Sequence, residues 1–408
     1  MNCRHCDQLL EHVFLDLGFA PPSNAYLSVN DLNTTENYFP LKLLVCTQCW
    51  LVQTQDVTDV ESLFTDEYAY FSSVSQGWLK HAQDYCVMIE KRLNLNKNSF
   101  VIEIAANDGY LLRNFVTKSI PCLGIEPTKS TADAAEKIAV PILRRFFNSH
   151  LADELILQGK QADLIVGNNV FAHVPDINDF SLGMRKLLKE TGVITLEFPH
   201  LQQLIDKVQF DTVYHEHFSY LSLTSVISIF SQAGLRVFDV ESLPTHGGSL
   251  RIYACHQHNE RESSEQVERL LSNEKQFGLC DLSVYTKFQW QAEQVKNGLL
   301  IFLIQQKMKD KSVVAYGAAA KGNTLLNYAG VKPDLLPCVV DAAPSKQGHF
   351  LPGSHIPIYS PEQIKVLKPD YVLILPWNIA DEVIEQQSVI FEWGGCFVLA
   401  IPELKVIE

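Results

Sequence analysis

Residues 99–115 read SFVIEIAANDGYLLRNF. The mostly apolar run 100–104 suits a short buried strand, the small residues after it suit a tight turn, and LLRNF takes up a helical spacing. A strand–loop–helix unit of this kind presents backbone N–H groups at the start of a helix, which is the seed of a doubly wound α/β sheet. The turn, Glu103 to Gly109, has the spacing ExGxGxG, with Ala105 and Asn107 in two of the glycine positions. Asparagine tolerates the left-handed conformation, so the turn remains feasible.

The same alternation continues downstream. A second strand, CLGIEP, ends in Glu126-Pro127 about 20 residues further on, where an acid can accept both ribose hydroxyls of an adenosine. Taken alone, Glu126 would equally suit a solvated strand end. DLIVGNN ends at Asn168-Asn169, and GVITLEFPH ends at His200. Polar residues at successive strand ends place a site along the C-terminal edge of the sheet. A dinucleotide enzyme needs GxGxxG, whereas the spacing here is that of an S-adenosylmethionine loop. The expected methyl-donor contacts are Glu103, Ala105, Asn107, Asp108, Gly109, Tyr110, Leu111, Glu126, Pro127, Asn168 and Asn169. The aromatic stretch 67–81, EYAYFSSVSQGWLKH, reads either as a packed linker helix or as a lid that lays Tyr68, Tyr70 and Ser73 over donor or acceptor.

The 408-residue chain has room for two or three domains, and its net charge of -14 argues against a nucleic-acid partner. The opening MNCRHCDQLL lacks a signal-peptide pattern and no run is long and apolar enough for a membrane span, so a cytoplasmic, reducing location is expected. Of ten cysteines, Cys3, Cys6, Cys46 and Cys49 form two CxxC pairs. Two such knuckles complete a four-thiolate zinc shell around a small subdomain; a disulfide or redox pair is the competing reading. A closed shell of four cysteines leaves no open position for substrate, so such a zinc is structural.

Further along, residues 214–217 read YHEH. The cluster fits a metal site, an acid/base site or polar decoration, and its spacing matches neither HExxH nor a facial triad. The pattern restarts with THGGSLRIYACH, where Gly247 and Gly248 precede a strand carrying Arg251. In SVVAYGAAAKGNTLLNYAG, Asn323 stands where a Walker loop requires lysine, which disfavours an NTPase. Asp341 in CVVDAAP is a weak candidate for a nicotinamide site. A second Rossmann-like domain is the better reading, its loop touching a phosphate or the acceptor through Lys321.

Together the cysteine knuckles, EIAANDGYLL, YHEHFSYLS, THGGSLRIY and YGAAAKGNTLLNY resemble the sugar C-methyltransferase family over essentially the full chain. The resemblance implies an S-adenosylmethionine-binding Rossmann-like domain at 66–235, flanked by a zinc-binding domain at 1–65 and a Rossmann-like domain at 236–408 that helps bind a sugar nucleotide. It implies methyl transfer to carbon 3 of an NDP-4-keto-deoxyhexose, dTDP-linked by expectation. His217 then falls on the general base, with Tyr214 and Glu216 beside it and His173 lining the sugar pocket. A positioned imidazole can remove a proton alpha to a ketone, and Tyr214 or His173 would donate to the enolate oxygen. Glu216 would orient the histidine or bind a sugar hydroxyl or amine. Tyr68, His200, Gly247, Gly248, Arg251, Lys321 and Asn323 are the expected substrate contacts. Ala105 departs from the family glycine, and His215 carries no assigned role. The partner is expected to be a small nucleotide sugar and the chain a monomer. Another activated ketone as acceptor, or a zinc-stabilised binding protein without turnover, are the alternatives.

Overall fold

The computed structural model describes residues 1–55 and 71–408. Tyr68 and Tyr70 therefore lie outside the described residues. The first unit is an antiparallel meander of β1 (His12–Ala20), β2 (Phe39–Val45) and β3 (Val52–Thr54). In β2, Leu41, Leu43 and Val45 are buried at the period of 2 that a strand imposes. One cysteine knuckle precedes β1 and the other turns β2 into β3, so the wide gap between Cys6 and Cys46 is filled by two strands.

The second unit begins with α1 (Gln76–Leu93), whose first turn is capped by the Ser75 side chain accepting from the Trp78 N–H. Five parallel strands follow: β4 (Val101–Ile104), β5 (Cys122–Ile125), β6 (Ile142–Leu143), β7 (Ala162–Asn168) and β8 (Leu188–Pro199). They alternate with α2 (Arg113–Thr117), α3 (Lys129–Lys137), α4 (Ser149–Leu157) and α5 (Ile177–Leu187). After α6 (Leu201–Asp206), the two-residue β9 (Ser219–Tyr220) leaves this sheet and pairs with β3 of the first unit. After α7 (Leu223–Ala233), β10 (Leu235–Leu243) and β11 (Ser249–His256) return antiparallel. The finished order is β10-β11-β8-β7-β4-β5-β6. The central sheet thus runs to His256, past the 235/236 boundary expected from sequence, because β11 pairs with β8 along residues 194–199.

The third unit opens with α8 (Glu265–Phe277) and the long α9 (Leu282–Met308). Phe288, Ala292, Val295, Leu299 and Phe302 form the buried stripe of α9 at helical spacing. Phe288 and Tyr285 pack on Phe14 of β1 at 4.7 and 5.6 Å between ring centroids, which joins the first and third units in one apolar core. The sheet consists of β12 (Val313–Tyr316), β13 (Val339–Val340), β14 (Ile358–Tyr359), β15 (Tyr371–Ile374), β16 (Cys396–Leu399) and β17 (Lys405–Ile407), in the order β14-β13-β12-β15-β16-β17. All its pairs are parallel except β16 with β17, and its helices are α10 (Ala320–Ala329), α11 (Gln363–Leu367) and α12 (Ala380–Gln386). Among the described residues no helix is long and apolar enough to cross a membrane.

Candidate active site

The four expected metal ligands converge. The sulfurs of Cys3, Cys6, Cys46 and Cys49 all lie within 4.8 Å of one another, with Cys3–Cys49 and Cys6–Cys46 at 3.5 Å. A disulfide would need about 2.05 Å, whereas four sulfurs about 2.3 Å from a central ion stand nearly this far apart. The contact between Cys3 and Cys49 lets only one of the pair ionise readily: it pushes the Cys49 thiol far up and draws Cys3 down to about 4. A divalent cation removes that conflict, so the donor set fits zinc in a closed, structural site.

The loop after β4 has left-handed backbone at each position where the spacing asks for glycine: φ is 59° at Ala105, 48° at Asn107 and 77° at Gly109. At Ala105 this costs about 1 kcal/mol that glycine would avoid. A Cβ on Gly109 would lie 3.0 Å from Val140 and 3.1 Å from Ala135, so only glycine lets α3 approach. Ser72 and Ser73 dock on the loop by donating backbone N–H to Asn107 Oδ1 and Asp108 Oδ2, both at 2.9 Å. Asp108 Oδ1 and Asn169 Oδ1 are buried without a partner among the described residues. Buried acceptors left open beside a left-handed loop fit the ammonium and hydroxyl groups of S-adenosylmethionine. Tyr110 lies under Trp78 and accepts from Asn168 Nδ2 at 3.5 Å.

Three donor-site expectations change. Glu126 was expected as an open ribose acceptor. Its Oε2 instead accepts from the Asn107 N–H at 2.9 Å and its Oε1 from the Thr128 N–H and hydroxyl, leaving Oε2 a lone pair to spare. Leu111 is fully buried in the core beneath α1 and offers a ligand no surface. Glu103 is likewise wholly buried; burial pushes its carboxyl well up, and Asp108 and Glu126 add to that.

Residues 214–217 form neither strand nor helix but a β-turn closed by the His217 N–H donating to Tyr214 O at 3.0 Å. A turn brings its first and fourth residues together, so the Tyr214 and His217 rings meet with centroids 4.0 Å apart at a tilt of 37°. The corner residues diverge: His215 turns to Phe39 O of β2, while Glu216 accepts from Asn24 Nδ2 at 3.2 Å. His173 arrives from the loop after β7, its ring centroid 4.6 Å from that of His217. His217 Nδ1 donates to Thr212 O at 3.1 Å, and His173 Nδ1 donates to Glu216 O at 2.8 Å. A carbonyl can only accept, so in each neutral ring the lone pair sits on Nε2. Both rings are held neutral: burial, then His173, takes His217 well below the usual range, and burial takes His173 to about 4. Two expectations are corrected here. Thr212 O orients His217, not Glu216, and neutral His173 has no N–H left with which to donate to an oxyanion.

The sequence reading passed over four participants, His246, Glu197, Ser23 and Asn24. His246 adopts φ 52° inside the THGG turn, accepts from Asn169 Nδ2 at 3.2 Å and meets Trp78 edge-on at 5.1 Å. Glu197, wholly buried at the end of β8, gathers His81 Nε2 at 2.8 Å, Thr245 Oγ1 at 2.9 Å and Arg251 at 2.9 Å. Burial pushes the Glu197 carboxyl up, but these partners outweigh it and hold it below the usual range. A lone acid in the apolar run GVITLEFP was the available signal for it. Ser23 and Asn24 of the PPSNA loop reach Asn323 and Glu216 from the first unit.

Glu197 displaces Arg251 as a substrate contact: the guanidinium is 5% exposed and lies 4.7 Å over the Tyr85 ring. Arg251→Met is expected to destabilise the central domain by about 3–5 kcal/mol, since it strands a buried carboxylate. Urea unfolding followed by circular dichroism measures this, and an unchanged midpoint would refute the strut role. His200 is likewise committed to Glu274 at 2.7 Å, which also caps α7 through Leu223 and Thr224. Asn323 donates an amide N–H to Ser23 O at 2.7 Å, while its Oδ1 is buried without a partner among the described residues. Gly247 and Gly248, with Lys207, Gln203, Trp377 and Asn378, do line a cavity of about 440 Å³ whose wall includes the His200 ring. In the third unit, Asp341 ties down the loop after β12 by accepting from the Ala318 and Ala343 N–H groups.

Three family descriptions match in chain order: a zinc binding domain over residues 3–64, a methyltransferase domain over 78–240 and a C-methyltransferase C-terminal domain over 244–402. C-methyltransferase NovU of Streptomyces niveus is 33% identical over 409 residues, covering 100% of this chain and 97% of that one. Among solved structures, an S-adenosylmethionine-dependent methyltransferase from Clostridium acetobutylicum is 12% identical at a TM-score of 0.36, over 44% of this chain and 92% of that one. Magnesium protoporphyrin IX methyltransferase from Synechocystis, with bound SAH, is 12% identical at 0.35, over 44% and 83%. Those scores are too low for a fold assignment to rest on them. The full-length relative and the three domain matches settle the family: the chain belongs to the C-methyltransferases, and is an S-adenosylmethionine-dependent enzyme with a zinc-binding cysteine cluster.

Proposed function

We propose that the enzyme methylates carbon 3 of a nucleotide-linked 4-keto-deoxyhexose, dTDP-linked by preference, through an enolate formed by His217. The observation that carries this reading is the His217 ring itself: buried, neutral, with Nδ1 spent on Thr212 O and the Nε2 lone pair left to take a proton. The residues around the ExGxGxG loop, with Asp108, Glu126, Asn168 and Asn169, hold the donor. S-adenosylmethionine, when bound, supplies an electrophilic methyl group on a sulfonium.

His217 removes the proton alpha to the ketone, and the Tyr214 ring packed against it at a tilt restricts its motion. Glu216, whose Oε2 is buried without a partner among the described residues, takes a sugar hydroxyl or amine. The nucleotide lies along the cavity bounded by Lys207, Gly247, Gly248, Trp377 and Asn378, where an indole and small residues suit a base and its diphosphate. The zinc-bearing unit and the third unit enclose the sugar from either side of the central domain. The chain acts as a cytoplasmic monomer, which light scattering of the purified protein tests.

Incubation with S-adenosylmethionine and a dTDP-4-keto-deoxyhexose is expected to yield one S-adenosylhomocysteine per methylated sugar, with the new methyl on carbon 3 by NMR. Turnover of a simple activated ketone, but not of the sugar nucleotide, would overturn the sugar assignment.

A further inference from the structure

Lys321 was expected beside a phosphate. The loop before it is poorly built for that, because the Gly317 N–H is spent on Val340 O and the Ala318 N–H on Asp341 Oδ2, both at 2.7 Å. The lysine sits in the first turn of α10, one turn before Thr324 and on the same helix face. Thr324 Oγ1 donates to Val213 O at 2.8 Å, so that face is pressed against residues 211–214, which lead into the YHEH turn. The ammonium is fixed by Asn378 Oδ1 at 2.6 Å and lies 4.7 Å over the Trp377 ring. Trp377 Nε1 in turn donates to Asp211 Oδ2 at 2.7 Å. Burial pulls the Lys321 ammonium below the usual lysine range, the Asp211 carboxylate pulls it back up, and the two make no direct ion pair.

An enolate needs a donor or cation at its oxygen, and the neutral His217 and His173 rings have their N–H groups turned away to carbonyls. We propose that Lys321 is a catalytic residue supplied by the third unit, its ammonium stabilising the enolate oxygen that forms when His217 takes the carbon-3 proton. In that step the carbon–hydrogen bond breaks and a nitrogen–hydrogen bond forms at Nε2. The freed electron pair becomes the carbon 3–carbon 4 double bond, and the carbonyl π pair moves to the oxygen facing Lys321. The same charge keeps the base unprotonated before the reaction: Lys321 adds to the downward pull of burial and His173 on His217 and acts on His246 as well. Asp211, pushed up to about 6 by burial and held back by Lys321, is the other titrating group nearby; Glu216, Tyr214 and Tyr220 complete the charged and titratable surround.

This role rests on the enolate reading above, and solvent deuterium exchange at carbon 3 of a dTDP-4-keto-deoxyhexose, without methyl donor, tests it. Lys321→Met is expected to slow exchange by about 100-fold or more, as for loss of one oxyanion group. Its acidic limb should move to higher pH, because His217 and Asp211 both lose a neighbouring cation and both titrate upward. Lys321→Arg should keep the limb in place, and affinity for dTDP alone should not change. If Lys321→Met does not fold, by its unfolding midpoint, Lys321→Gln replaces it: its amide N–H can still donate to Asn378 Oδ1 but carries no charge, so exchange should still slow. Equal exchange in wild type and variant would overturn the Lys321 role alone, as would lost dTDP affinity with exchange intact in the bound sugar. No exchange in wild type would bring down the enolate reading itself.

Discussion

His217→Asn is expected to abolish carbon-3 deuterium exchange and methyl transfer together, by about 10²- to 10⁴-fold, the usual contribution of a positioned general base. Asparagine is the informative replacement. Its amide N–H can still donate to Thr212 O, where His217 Nδ1 donates at 3.1 Å, so the turn keeps its tie. What disappears is the Nε2 lone pair. Sugar-nucleotide and S-adenosylmethionine affinities, measured by calorimetry, should remain near wild type, because the donor loop is held separately by Glu126 and the 72–73 segment. Undiminished exchange in the variant would remove His217 from the chemistry. His215→Asn makes the internal comparison: its ring faces Phe39 O of the first unit, and its loss should leave exchange intact.

Removing zinc should cost the whole first unit and, through it, activity. The cysteines close on one another in a unit of only three of its own strands, too small to stand on its core. Structural zinc contributes about 10–16 kcal/mol in comparable knuckles, far more than such a unit's margin, so Cys46→Ser or chelation should unfold it outright. The effect should spread. β3 pairs Val52 with Tyr220 and Gln53 with Ser219, immediately after the YHEH turn, and Asn24 holds Glu216. Metal analysis should find one zinc per chain, and turnover should fall with its removal although the ion performs no chemistry. Purified protein with far less than one equivalent of metal and full activity would refute this.

Much of the site was legible in residue spacing. ExGxGxG encodes alternate left-handed residues, a local backbone demand met at Ala105, Asn107 and Gly109 whatever surrounds them. CxxC encodes two thiolates on one ion in the same local way, and the strand pattern puts Asn168, Asn169 and Glu126 at strand ends, as the structure has them. The errors share one cause. Arg251 and His200 looked like free substrate contacts because their partners, Glu197 and Glu274, lie 54 and 74 residues away. His246 was overlooked between a threonine and two glycines, because its neighbour Asn169 belongs to another strand end.

By itself, then, the sequence determined the order of the domains, the cysteine cluster and the left-handed loop after β4, all properties of neighbours along the chain. Tertiary structure decided which nitrogen of each histidine is basic, since Thr212 O and Glu216 O set the tautomers. It also decided which charges are spent in struts and which remain for chemistry. Arg251 is absorbed by Glu197, while Lys321, on a helix of the third unit, is held by Asn378 and lies over the Trp377 ring. The physical reason is range: a turn's φ angles and a knuckle's ligands are set within a few residues, but the state of a buried charge is set by whatever the folded chain packs against it.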